Sequence, residues 1–131
     1  MREPVMAFIL AAIILLAGCL GDAEADVFYG DDIAPPIPVQ DFILVDENGE
    51  YVSLSQYEGK VVVVAFLFTR CPDICPVVSA NLAFIVDQLG ERHGTEVQIL
   101  SITVDPWTDN SSVMHDYAST RGLGWPHLTG E

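Results

Sequence analysis

The 131-residue sequence predicts a single α/β domain built on a partly parallel sheet. Three observations support this fold class: a hairpin signal near residue 48, a long apolar strand, and strand-type runs that alternate with helix-type runs. The predicted order is hairpin, strand, helix, strand, helix and the start of a further strand. Half of the residues are hydrophobic, which is enough to build one packed core.

The first elements are predicted from turn chemistry and from apolar runs. Residues 41–46 and 51–54 form the arms of a hairpin, because Asn48 and Gly49 between them favour a tight turn. Residues 61–68 are apolar without interruption and rich in β-branched and aromatic types, so we expect a central strand buried on both faces.

The later elements follow from a helical period and from capping residues. They are a helix over 77–89, a strand over 97–104, a helix capped by Ser111 or Ser112 that ends near Gly122 and Gly124, and a strand opening within 125–129. The carboxyl end of the first central strand therefore meets a helix start, and open α/β sheets build their sites at such positions.

The N-terminus reads as an export signal. Residues 1–18 combine Arg2 with an apolar run too short to span a bilayer comfortably, as in the signal peptide of a lipoprotein. The run ends in Leu-Ala-Gly-Cys, which resembles a bacterial lipobox and implies cleavage before Cys19 and a lipid on its sulfur. An uncleaved membrane anchor is the alternative. Both readings place the domain outside the cytoplasm, on the outer face of the membrane.

An acidic, proline-containing stretch over 19–38 is predicted to be a tether, followed by the folded domain over 39–131. The net charge of −14 argues against nucleic acid as a partner, because phosphate binding needs a basic surface. We therefore expect a membrane-attached domain with a well-hydrated acidic surface.

The strongest chemical signal is the pair Cys71 and Cys75. Their i, i+4 spacing puts both sulfurs on one face of a helix start, where the helix dipole favours thiolate. Arg70 adds a cation nearby, and Asp73 opposes it. Two uses are open: reversible oxidation of the pair, or binding of Cu(I) by two soft sulfurs. A structural disulfide or two inert buried thiols would be the plainer interpretation.

The stretch Phe-Leu-Phe-Thr-Arg-Cys-Pro-Asp-Ile-Cys-Pro over 66–76 resembles the signature of the SCO1/SenC family. Residues 101–106 with Asp109, and the segments Gly124-Trp125 and 128–130, resemble further family motifs, so the likeness covers about residues 38–131. It implies a thioredoxin-like fold, a place on the outer face of the membrane, and delivery of copper to the CuA centre of cytochrome c oxidase subunit II. Some family members are thought to reduce that site instead.

The chain departs from the family pattern at its end. The family's copper site uses both motif cysteines and a histidine that lies beyond the Leu-Thr-Gly segment, whereas this chain stops at Glu131. We interpret it as a C-terminal truncation that lacks the later strands, the last helix and the histidine ligand. A Cu(I) site of two sulfurs, Cys71 and Cys75, is the remaining expectation.

Other polar residues have weaker claims to the site. His127 is expected to be a surface or strand-end histidine, and His93 and His115 to be ordinary surface residues. Asp73 and Asp105 are candidates for tuning the thiols, although Asp105 before a proline is also typical of a turn. Trp107 and Trp125 are assigned to the core or to a partner-facing surface.

Three functions compete on this sequence. The first is a copper chaperone for oxidase assembly, and the second is a thiol-disulfide oxidoreductase acting on the oxidase copper site. The third is a peroxidase of the peroxiredoxin kind, which Thr69 and Arg70 beside Cys71 suggest only superficially. The thiol spacing favours the chaperone.

Overall fold

The computed structural model describes residues 29–130, in two separate units divided after Ile37. The described part of the first unit, 29–37, is exposed and contains no helix or strand. The signal peptide over 1–18 and Cys19 lie outside the described residues, and the domain boundaries stay predictions. None of the helices within 29–130 is long and apolar enough to cross a membrane.

The second unit opens with the predicted hairpin. Strand β1 (Ile43–Val45) pairs antiparallel with β2 (Tyr51–Ser53). The turn is closed by the carboxylate of Asp46, which accepts the backbone N–H of Asn48 and of Glu50, each at 2.8 Å. Gly49 has a φ of 85°, a conformation that residues other than glycine rarely adopt, so this turn favours glycine at position 49.

A three-stranded sheet forms the centre of the unit. Its strands are β3 (Val61–Leu67), β4 (Val97–Thr103) and β5 (His127–Leu128), in the order β3-β4-β5. All neighbours are parallel, as the alternation of strands and helices predicted. Backbone hydrogen bonds between Val45 and Thr129 tie the hairpin to the end of β5.

Two helices connect these strands. Helix α1 (Ile74–Leu89) leads from β3 to β4, and α2 (Ser111–Arg121) leads from β4 to β5. The predicted cap of α2 is wrong by one residue: the side chain of Asn110 accepts the N–H of Val113, so Asn110 is the N-cap. Gly122 ends the helix in the left-handed conformation, as expected.

The prediction that the first long strand is central and buried on both faces is wrong for the described residues. Strand β3 pairs on one side only, with β4, and its side chains Val61 and Phe66 are 64% and 67% exposed. The buried central strand is β4, in which Ile99 and Leu100 are fully enclosed. An apolar run indicates affinity for a core, but the elements that pack against the two faces of the strand decide how much of it is covered.

The buried side chains form three clusters, and the members of each cluster pack against one another. One, against the hairpin, contains Val52, Leu100 and Leu128, and another, under α1, contains Leu82, Ile99 and Trp125. The third lies at the carboxyl end of β3 and is made of Leu67, Cys71, Cys75, Met114 and Tyr117. The fold therefore buries the two cysteines in a small apolar cluster shared by β3, α1 and α2.

Candidate thiol site

The site lies in the turn that carries the chain from β3 into α1. Cys71 is held in this turn by a 3.2 Å hydrogen bond from its N–H to the carbonyl of Phe68. Cys75 occupies the first turn of α1, which begins at Ile74. Pro72 lies just before α1, where its missing backbone N–H costs the helix no hydrogen bond.

The structure brings the two predicted thiols together. The backbone N–H of Cys75 donates to Sγ of Cys71 over 3.4 Å. Both side chains are buried, with 9% of Cys71 and 6% of Cys75 exposed, and both are free thiols. An amide that donates to a sulfur stabilises the thiolate more than the thiol, because the thiolate is the better acceptor.

The two thiols differ in acidity. The pKa of Cys71 is lowered by a hydrogen bond from the Cys75 side chain, and further by the amides of Asp73, Cys75 and Ile74 at the helix start. The pKa of Cys75 is raised, first by burial and then by its hydrogen bond to Cys71. Cys71 is therefore the thiol that ionises first, and the helix start supplies the stabilising groups.

Arg70 does not act as the cation beside the sulfurs that its position in the sequence suggested. Its guanidinium donates to Oδ2 of Asp105 at 3.1 Å and to Oγ1 of Thr108 at 2.9 Å. The carboxylate of Asp105 thus contacts the residue before Cys71. Its backbone carbonyl closes the turn after β4 by accepting hydrogen bonds from the N–H groups of Thr108 and Asp109. The carboxylate of Asp73 makes no capping hydrogen bond, and only its amide faces Cys71.

Asp109 is a further component of the site, and the sequence marks it only as a position in a family motif. It is fully buried, and its carboxylate accepts hydrogen bonds from the amide and hydroxyl of Thr69 and from the hydroxyl of Thr103. Thr69 precedes Cys71 by two residues. The sequence does show an acidic residue, Asp109, shortly after β4. It gives no indication that the partner of this residue is Thr69, 40 positions away.

The histidines do not join the thiols. His127 is the first residue of β5, as the strand-end alternative predicted, but it is fully buried, so the surface alternative is wrong. Its Nδ1 lies 2.7 Å from the carbonyl of Trp125, its ring stacks on that indole, and burial lowers its pKa. His93 is half-buried and His115 is exposed. Over residues 29–130, no three side chains of the His, Cys, Asp or Glu types cluster closely enough to hold a metal.

The two tryptophans divide between the predicted alternatives. Trp125 is in the core and donates its indole N–H to Oγ of Ser101 at 2.9 Å. Trp107 is 83% exposed in the loop after β4. The chemistry available at the site is thus that of two adjacent thiols without a nearby imidazole: coordination of a soft, low-coordinate metal ion, or formation of a disulfide.

Comparison with known proteins identifies relatives of this chain. A family model described as SCO1/SenC matches residues 31–131. The copper-bound structure of ScoI from Bradyrhizobium japonicum superposes with a TM-score of 0.65 at 29% identity, over 70% of this chain and 58% of that chain. The chain spans only part of the length of its relatives. Its match to the SCO1 protein homolog of Bacillus subtilis, at 31% identity, covers 77% of this chain and 54% of that protein.

Two further solved structures are similar. One is BsSco, which is described as carrying a disulfide switch and as a member of the Sco family of cytochrome c oxidase assembly proteins. It has a TM-score of 0.63 and 31% identity over 71% of this chain and 56% of that one. The other is a SCO1/SenC family lipoprotein from Bacillus anthracis, with a TM-score of 0.65 and 28% identity over 71% of this chain and 56% of that one. These likenesses establish the thioredoxin-like α/β fold.

Proposed function

The chain belongs to the SCO1/SenC family, and on that premise we propose that it binds one Cu(I) ion between Cys71 and Cys75. In this proposal the protein is a metallochaperone, and the ion is its cargo for assembly of the CuA centre in subunit II of cytochrome c oxidase. The observation that carries the proposal is the juxtaposition of two reduced, buried thiols at one helix start.

The chemistry of this pair suits Cu(I). Thiolates are soft ligands, and Cu(I) accepts two of them without a third donor. Binding releases the proton of each sulfur that is still a thiol, because the thiolate is the ligand. The copper-bound state of the Bradyrhizobium relative supports the choice of metal. Delivery would then proceed by exchange of these two sulfurs for ligands on the receiving protein.

The proposal includes a location. Residues 1–18 would act as a lipoprotein signal peptide, Cys19 would carry the lipid, and residues 19–38 would tether the domain to the outer face of the cytoplasmic membrane. The lipoprotein from Bacillus anthracis supports this arrangement. A domain held at that surface would meet a membrane-bound oxidase subunit without diffusing through the surrounding medium.

A second candidate function is thiol-disulfide exchange at the oxidase copper site. The observation that favours it is the unequal acidity of the thiols, because an exchange reaction needs one nucleophile and one resolving thiol. Cys71 would attack a disulfide of the partner and release one partner thiol. Cys75 would then attack Sγ of Cys71, forming the Cys71–Cys75 disulfide and leaving the partner with two thiols. The disulfide switch described for BsSco supports this alternative.

The test is a competition titration of the reduced full chain, in mild detergent, with Cu(I) and a chromophoric chelator. We expect one copper per chain, lost in both Cys71→Ser and Cys75→Ser. Cys19→Ser is the matched control, since it removes a cysteine outside the pair and should bind like the wild type. Copper binding that survives both site substitutions would overturn the proposal. A wild type that binds no copper but exchanges its disulfide with glutathione would establish the second function instead.

A further inference from the structure

A buried carboxylate lies behind the thiol site without contacting it. Oδ2 of Asp109 accepts the N–H of Thr69 at 2.9 Å and the hydroxyl of Thr103 at 2.7 Å, and Oδ1 accepts the hydroxyl of Thr69. The side chain is fully buried. Removing a carboxylate from water is costly, and hydrogen bonds of this number and length offset that cost only while all three donors stay in place.

The backbone of Asp109 makes two further hydrogen bonds, which do not involve the carboxylate or Thr69. Its N–H donates to the carbonyl of Asp105 at 2.9 Å, and its own carbonyl accepts the hydroxyl of Thr129. Thr103 ends β4, and Thr129 follows β5. Asp109 therefore joins the ends of β4 and β5 to the turn that follows β3.

That turn is the one that places Cys71. Thr69 donates two hydrogen bonds to the carboxylate of Asp109, one from its amide and one from its hydroxyl. The N–H of Cys71 donates to the carbonyl of Phe68, the residue immediately before Thr69. The position of the Cys71 sulfur relative to the N–H of Cys75 thus depends on the short segment 68–71, which is held mainly by the hydrogen bonds between Thr69 and Asp109. The Arg70–Asp105 pair is a weaker second anchor, because the Arg70 side chain is mostly exposed.

We propose that Asp109 is the positioning residue of the thiol pair: by holding Thr69, it keeps Sγ of Cys71 within reach of both Cys75 and the start of α1. The inference deepens the proposed function, because the thiol pair is the same. It assigns to the carboxylate a role in the metal affinity and in the disulfide equilibrium of the pair, beyond its contribution to folding.

The primary test compares Asp109→Ala with Asp109→Asn in the reduced full chain, in mild detergent. The alanine removes both acceptor oxygens and leaves three donors without their partner: the Thr69 amide, the Thr69 hydroxyl and the Thr103 hydroxyl. The asparagine retains the network, since its oxygen can accept from the amide of Thr69 and from Thr103 while its NH₂ donates to the Thr69 hydroxyl. For Asp109→Ala we expect Cu(I) affinity to fall about tenfold, the lower end of the effect typical of residues that orient metal ligands. Asp109→Asn should restore most of it.

A second readout does not involve copper. The Cys71–Cys75 disulfide is equilibrated with glutathione: the two thiols lose two electrons and two protons as the S–S bond forms, and glutathione disulfide is reduced to two thiols. A looser turn lowers the effective concentration of one thiol at the other, so the equilibrium constant for disulfide formation should fall about tenfold in Asp109→Ala. That change corresponds to a potential about 30 mV less negative. Absence of copper binding in the wild type would overturn the proposed function while this measurement still tests Asp109.

Thr129→Val is the control for a purely structural role. It removes the buried hydroxyl that donates to the carbonyl of Asp109 and leaves the carboxylate network intact. We expect it to lower the melting temperature and to leave the potential unchanged. If Asp109→Ala does not fold, Thr69→Val replaces it, since it deletes only the hydroxyl donor and should shift the potential in the same direction by less. A wild-type potential in a folded Asp109→Ala or in Thr69→Val would overturn the inference.

Discussion

His127 should make this protein sensitive to mild acid, and His127→Asn should remove that sensitivity. Burial lowers the pKa of His127 below its ordinary value of 6.5, so the folded state takes up a proton less readily than the unfolded state. Well above pH 6.5 the imidazole is neutral in both states and contributes no pH dependence. As the pH falls below 6.5, the unfolded state binds the proton first, and the free energy of unfolding decreases.

The magnitude follows from one proton. Between pH 6.5 and the folded pKa, His127 contributes a slope of at most about 1.4 kcal/mol per pH unit. Asparagine can keep the donor to the Trp125 carbonyl, because its Nδ2 replaces the Nδ1–H of histidine, but it does not titrate. The variant should be less stable than the wild type at pH 7.5, since asparagine leaves part of the ring volume empty, and its stability should change less towards pH 5.5.

Urea unfolding at several pH values between 5.5 and 7.5 measures this slope directly. The control is His115→Asn, which changes an exposed histidine on α2 and should leave the slope of the wild type unaltered. The reasoning is refuted if His127→Asn retains the full acid slope, or if His115→Asn removes as much of it as His127→Asn does. Either result would mean that the buried imidazole is not the group that resists protonation.

The remaining predictions concern the thiols and the start of α2. Iodoacetamide at pH 7 should alkylate Cys71 before Cys75, because the pKa of Cys71 is lowered and that of Cys75 is raised; equal labelling in peptide mass spectra would contradict this. Asn110→Ala should cost about 1 kcal/mol of unfolding free energy in urea, whereas Ser112→Ala should stay within about 0.5 kcal/mol, and a reversed order would restore the cap predicted from sequence. In weakly buffered solution, the number of protons released per Cu(I) ion bound should be two below the pKa of Cys71, where both thiols are protonated, and one above it, where only Cys75 is. A number of released protons that does not change with pH would show that the two sulfurs are not separately titrating ligands.

The fold was predictable wherever local chemistry decides the structure. The turn at Asn48-Gly49 and the end of α2 at Gly122 follow from backbone conformations that few residues adopt. The burial of β3 was not predictable from its own residues, because it depends on which other elements pack against its two faces. The cap of α2 was misplaced for a simpler reason: three adjacent residues are all good caps, and only the backbone geometry selects Asn110.

The site divides in the same way. The thiol pair was predictable because its geometry is contained in a five-residue spacing at a helix start. The role of Asp109 was not, since its partner Thr69 lies on another strand end and is brought near only by the parallel pairing of β3 and β4. The burial of His127 was missed because a polar residue at a strand end usually faces water, whereas this one is covered by Trp125 and Tyr117.

The pKa of Cys71 is lowered and that of Cys75 is raised, and this difference affects electron exchange and Cu(I) binding in different ways. Thiol-disulfide exchange needs one ready nucleophile, and Cys71 satisfies that need because a hydrogen bond from the Cys75 side chain, and then the amides at the start of α1, lower its pKa. Cu(I) needs both sulfurs as thiolates, so binding must overcome the raised pKa of Cys75. The metal itself supplies that driving force, since a cation bound to Cys71 offsets the cost of a second buried negative charge. If the pair carries Cu(I) as proposed, the raised pKa of Cys75 means that this thiol stays protonated until the ion binds, and binding would release that proton.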